Sequence, residues 1–173
     1  MKMTVRRLVT NAILIALYVV LNMYSVRLGF LNITFAAFPI IVAALLFGWV
    51  DGLAVGAVGG FLNQLLTYGL SATTVMWMLP SMARGLIIGI YAKKHDCRLN
   101  MKQTAVIVFI SSLVVTALTT LALYVDAQIF HYPVALTAGT IALRFVSSIV
   151  MAAIYTLIAP KTIELLRRAG VDQ

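Results

Sequence analysis

The sequence predicts an all-α fold, a polytopic membrane protein of six transmembrane helices with both termini in the cytoplasm. Three observations predict it. Of the 173 residues, 62% are hydrophobic and only 10% are charged, whereas a soluble domain has roughly 45–50% and about 25%. Mean hydropathy is +1.03, so lipid is the solvent that suits these side chains. Apolar runs long enough to cross about 30 Å of hydrocarbon, roughly 17–25 residues each, recur six times. Finally, all but two of the 13 lysines and arginines gather at the ends of those runs. That distribution sets topology in a membrane and argues against a nucleic-acid partner.

Residues 1–173 form one membrane domain with predicted spans of about 8–26, 34–50, 52–69, 75–92, 104–125 and 137–159. The first span follows Lys2, Arg6 and Arg7 and runs on without a small-residue cleavage site, so it is a span and not a signal peptide. It ends at Arg27-Leu28-Gly29. Only Trp49-Val50-Asp51-Gly52 separates the second and third spans, which predicts a tight helical hairpin. Lys93-Lys94-His95-Asp96 closes the fourth span, and the stretch from Asp126 to Pro133 closes the fifth. With both ends inside, the inner side receives Lys2, Arg6, Arg7, Lys93, Lys94, Arg98, Lys102, Lys161, Arg167 and Arg168, against Arg27 alone outside. Such an excess of inner positive charge fixes the orientation. Two outer segments, 26–33 and 69–75, mix apolar, small and hydrogen-bonding residues and are candidate lids over an external pocket.

Arg84 and Arg144 remain inside the spans. A charge near the bilayer centre costs about 2.5–3.5 kcal/mol on insertion scales, so such residues are kept for a partner, a pathway or a ligand. In the fourth span Trp77, Pro80, Ser81 and Arg84 recur at helical spacing and share one face. Pro80 has no backbone N–H, which frees a carbonyl one turn back on that face. This predicts a binding face on which Arg84 grips an anion and Trp77 packs against the ligand body. In the sixth span Thr140, Arg144, Ser147, Ser148 and Met151 share a face. Arg144 lies about two turns from the outer end, within snorkelling reach of the interface. Asn63, Gln64, Thr67 and Tyr68 cluster in the outer half of the third span, where amides need protein or water around them. The substrate-binding candidates are therefore Arg84, Trp77, Asn63, Gln64, Thr67, Tyr68, Arg144 and Ser148. A stripe of Ser112, Thr116, Thr119 and Thr120 in the fifth span is better explained as helix packing. Polar groups crowd the outer halves while the inner halves are almost wholly apolar, as in a cavity open outward and sealed inward.

Several classes are excluded or disfavoured. No G-x-x-x-x-G-K-[ST] phosphate loop is present, so any ATP hydrolysis must come from elsewhere. His95, His131 and the single Cys97 form no cluster with metal-ligand spacing, and no metal or cofactor is expected. One cysteine cannot form an internal disulfide. The acids Asp51, Asp96, Asp126, Glu164 and Asp172 are placed at interfaces or near the termini, so a proton relay through the membrane is not expected. No nucleophile, base or metal set assembles into an enzyme site. A self-contained facilitator or channel is the alternative of another class, and it would need a polar path through the apolar inner halves.

With these features the chain resembles the substrate-binding S components of energy-coupling factor (ECF) vitamin transporters, over nearly its whole length. Ala12-x-x-x-Ala16 in the first span looks like that family's alanine motif. Phe38-Pro39-Ile40, Leu46-Phe47-Gly48 and the stretch from Leu65-Leu66-Thr67-Tyr68-Gly69 through Leu79-Pro80 to Arg84-Gly85-Leu86 are similar to family sequence as well. The resemblance implies a multi-pass protein of a bacterial cell membrane that captures a small water-soluble vitamin from outside. It also implies docking, through Ala12 and Ala16, on a transmembrane T component that works with two cytoplasmic ATPases, and a toppling of the S component within the membrane. Arginines favour a carboxylate, which a guanidinium grips bidentately. Pantothenate is the expected ligand on that ground, with hydroxymethylpyrimidine, pyridoxine and folate as alternatives.

Overall fold

In the computed structural model, residues 5–28, 31–131 and 138–170 are described, with the side chains of 26–28 and 31–33 left aside. Gly29 and Phe30 of the predicted first lid lie outside this set. Six helices follow in order: α1 Val5–Met23, α2 Ala37–Phe47, α3 Trp49–Tyr68, α4 Thr74–Lys94, α5 Met101–Phe130 and α6 Ala138–Arg168. The all-α membrane architecture expected from composition is what the chain forms.

Four of these helices, α1, α4, α5 and α6, are long and apolar enough to cross a membrane. Helix α2 differs from its predicted span, because eleven residues at 1.5 Å each reach only about 16 Å. Every residue from Pro39 to Leu46 is buried, with Ile41, Ala43 and Ala44 at 0% exposure. Hydrophobic on all sides, α2 is a central core helix packed between α1, α3, α4 and α6. The longest helices, α5 and α6, have 30 and 31 residues, or about 45 Å, so each extends past the hydrocarbon.

A single residue breaks α2 from α3. Gly48 has φ of 89° and its N–H caps the Ala44 carbonyl, a left-handed conformation that glycine adopts without steric cost. The turn is thus shorter than Trp49–Gly52, and Asp51 falls in the first turn of α3. There it is 2% exposed, buried within the protein. The Arg7 guanidinium donates to both of its oxygens, Asn11 Nδ2 donates to Oδ1 at 2.5 Å, and Arg7 also reaches the Phe47 carbonyl at 3.1 Å. Helix α1 is thereby clamped to the α2–α3 corner, with a carboxylate favoured at a helix N-terminus.

Helices α3 and α4 approach most closely. A methyl group added to Gly56 would come within 2.5 Å of the Ser81 carbonyl, and one added to Gly85 would collide with the Gly52 backbone. Small residues permit this contact, as at membrane helix interfaces generally. At one end of the bundle Arg6 donates to the Gly170 carbonyl at 2.5 Å, bringing both chain ends together. At the opposite end, segment 26–33 forms a two-stranded antiparallel hairpin, β1 Val26–Leu28 and β2 Leu31–Ile33, with Val26 paired to Ile33.

Candidate functional site

The end of the bundle opposite the chain termini holds a cavity of about 660 Å³. Its wall takes Tyr18 and Asn22 from α1, Ala37 and Ile40 from α2, and Gly60, Asn63, Gln64 and Tyr68 from α3. Helix α4 supplies Trp77, Pro80, Ser81 and Arg84, the face marked by helical spacing in the sequence. Helix α5 supplies Val115, Thr119, Leu123, Asp126 and Phe130 at intervals of three and four residues, again one helical face. The volume suits a drug-sized molecule, and a mostly apolar wall with a few placed polar groups is the usual form of a ligand site.

Several of those groups are held in place by the protein. The Tyr18 hydroxyl lies 2.9 Å from Ser81 Oγ, joining α1 to α4, and Asn22 Nδ2 donates to Tyr18 at 3.4 Å. Loop 69–73 is pinned across the mouth. Ser71 N–H donates to Thr74 Oγ1 at 2.9 Å, and Thr73 Oγ1 donates to Asp126 Oδ1 at 2.5 Å. Ser71 and Thr73 both line the cavity, so this segment lies over the pocket between α3 and α5.

Arg84 is not among the groups so held. Among the described residues its guanidinium has neither a hydrogen-bond nor a carboxylate partner, yet it faces the cavity. Five N–H donors are therefore turned toward whatever the cavity contains. A second cavity of about 180 Å³ adjoins the first and shares Thr34, Ala37, Arg84, Val115 and Thr119 with it. Arg144, Ser147, Ser148, Ser112, Thr116, Met151 and Tyr155 complete its wall. Tyr155 Oη donates to the Thr34 carbonyl at 2.5 Å, fixing α6 to the segment before α2.

The structure thus gathers Arg84, Trp77, Asn63, Gln64 and Tyr68 around the larger cavity, and Arg144 and Ser148 around the smaller one beside Arg84. Thr67 stands outside both. It is exposed and donates to Asn63 Oδ1 at 3.4 Å, although helical spacing puts it on the same side of α3 as Asn63 and Gln64. Ala12 and Ala16 are exposed on the face of α1 away from Asn11, Leu14 and Tyr18. Asp126 was missed as a cavity residue because the predicted fifth span stopped at 125. The spacing Thr119, Leu123, Asp126, Phe130 carried the signal. Among the described residues no group of His, Cys, Asp or Glu could hold a metal ion.

Similarity to known proteins agrees with this architecture. A solved structure of the S component of a bacterial ECF transporter superposes with a TM-score of 0.66 at 22% identity, covering 92% of this chain and 96% of that one. A crystal structure of FolT bound with folic acid superposes with a TM-score of 0.63 at 19% identity, covering 90% of each. At these identities the likeness concerns the fold. Comparison with curated proteins gives no match. The family model of the ECF-type riboflavin transporter S component matches residues 2–167, nearly the whole chain. On that match, this membrane-spanning chain belongs to the S components of ECF-type transporters, in the family named for riboflavin.

Proposed function

We propose that the protein captures a ring-bearing vitamin, riboflavin first, from the outer side of a bacterial cell membrane and delivers it to an ATP-driven uptake complex. The observation that carries this reading is the 660 Å³ cavity with Trp77 and Arg84 on one helical face, in a chain of the riboflavin S component family. Trp77, Ile40, Val115 and Leu123 offer an apolar wall to a flat tricyclic ring, and Asn63, Gln64, Ser71, Arg84 and Asp126 offer hydrogen-bond partners to its ring edge and hydroxyl chain. Binding is the protein's own step, and the energy comes from partners, since the chain has no phosphate loop of its own. Ala12 and Ala16 form the surface offered to the T component, which works with two cytoplasmic ATPases. Both termini lie in the cytoplasm, and the cavity opens outward. A free-standing channel is disfavoured by the inner half, where Ile41, Val55, Ile88, Val108 and Ala159 are all at 0% exposure.

One observation favours a second reading. Arg84 is without a carboxylate partner among the described residues, which suits a vitamin that brings its own, such as pantothenate or folate. Equilibrium titration of the purified protein with riboflavin, pantothenate and folic acid separates the readings. Riboflavin is expected to bind one to one and most tightly, and Arg84→Ala to weaken it by about tenfold or more, the worth of a charge-assisted hydrogen bond. Tightest binding of pantothenate would transfer the site to the carboxylate reading, and unchanged affinity in Arg84→Ala would remove that residue from it. Orientation has its own test: an impermeant maleimide should reach Cys97, the single cysteine, from the cytoplasmic face only.

A further inference from the structure

We propose that Arg84 and Arg144 form an oxyanion subsite behind the main cavity. It takes a carboxylate or phosphate monoester at the tail of a ligand whose body fills the larger space. This rests on the capture function proposed above and adds to it a preference for an anionic form of the ligand. Both arginines line the same cavity of about 180 Å³, and no carboxylate is in its wall. Neither guanidinium has a hydrogen-bond or ion-pair partner among the described residues. Arg144 is half-buried in α6 and turned into this cavity.

The neighbouring hydroxyls do not satisfy the arginines and leave them as the committed donors. Thr116 and Ser148 both donate to the Ser112 carbonyl, at 2.8 and 3.2 Å, Thr119 donates to Val115 at 2.7 Å, and Ser147 donates to the carbonyl of Arg144 itself at 2.9 Å. Two cations without partners in the wall of one small cavity retain their desolvation cost. An oxyanion in that cavity offsets it, and the planar donor fork of arginine matches a carboxylate or phosphoryl group bidentately. Because Thr34, Ala37, Arg84, Val115 and Thr119 belong to both cavities, a ligand body in the larger one has a direct route for its tail.

The test compares riboflavin with its phosphate monoester on detergent-purified protein by calorimetry, and adds inorganic phosphate or acetate alone in a thermal-unfolding series. The ester is expected to bind about tenfold or more tighter than riboflavin. Arg144→Gln should abolish that preference, lowering affinity for the ester far more than affinity for riboflavin. Arg144→Lys, which keeps the charge and loses the fork, should retain part of the preference and serves if the glutamine variant fails to fold. Equal affinity of wild type for both forms, or an equal loss of both in the variants, overturns the subsite while leaving vitamin capture standing. If neither form binds, the capture reading fails. Stabilisation of wild type, but not Arg144→Gln, by phosphate or acetate would then still support the subsite, and no stabilisation by either would overturn it.

Discussion

Arg84 stands where the two cavities meet, and its position was legible because charge inside an apolar run is costly and Trp77, Pro80 and Ser81 recur on its face. Arg144 was legible as a binding candidate from the face it shares with Ser147, Ser148 and Met151, although depth in a helix left snorkelling to the interface open as its alternative. Thr67 shows the limit from the other side. Residues 63, 64, 67 and 68 share one side of α3 by helical spacing, and tertiary packing decides which of them line the cavity. Asp51 is the clearest case of a residue whose role came from packing. Its place between two apolar runs marked it as an acid at a span end, and packing makes it the anchor of Arg7 and Asn11 at 3% side-chain exposure. Removing one partner of a buried ion pair costs about 3–5 kcal/mol, while replacing both with apolar groups is often nearly neutral. Arg7→Met, which strands the carboxylate, is therefore expected to lower the unfolding temperature sharply. Adding Asp51→Leu should restore part of the loss. Equal, additive losses would show that the pair does not couple α1 to α3.

Among the elements, the long apolar helices were the easiest to foresee, because length and hydropathy alone specify them. The hairpin at 26–33 was not foreseen, although Val26-Arg27-Leu28 and Leu31-Asn32-Ile33 each alternate apolar and polar residues as a strand does. Six residues are too few for that period to stand out beside a helical one. Helix α2 was overextended because a fully buried helix and a transmembrane span are both apolar throughout. The pairing of α3 with α4 carries the site, since α3 contributes Gly60, Asn63 and Gln64 and α4 contributes Trp77 and Arg84. Gly56 sets their separation against the Ser81 carbonyl. Gly56→Ala forces backbone apart, an overpacking that costs typically 1–3 kcal/mol. It is expected to lower thermal stability and ligand affinity together, as measured by unfolding with and without vitamin. Loss of stability with unchanged affinity would show that the α3–α4 spacing does not shape the cavity.

The whole molecule has two ends with different physics. The end with the chain termini is packed and apolar inside and ringed by basic residues. The opposite end is hollow, polar and covered by the segment that Thr73 ties to Asp126. That division was visible in sequence as polar residues in the outer halves of spans and apolar ones in the inner halves. It also explains why the fold was clearer than the ligand: burial and charge patterns are averages over many residues, whereas substrate choice depends on a few donors and a cavity volume. The central claim is that this cavity, and no other surface, holds the vitamin. Gly60 lines it, and a β-carbon there would make only ordinary contacts, the nearest at 3.5 Å from Ser81 Cβ, so the backbone accepts a side chain at this position and Gly60→Leu is expected to occupy part of the space. The most direct measurement is riboflavin titration of wild type and Gly60→Leu at matched thermal stability. One-to-one binding by wild type and its loss in Gly60→Leu is the predicted result, and undiminished binding with the cavity partly filled would contradict the account.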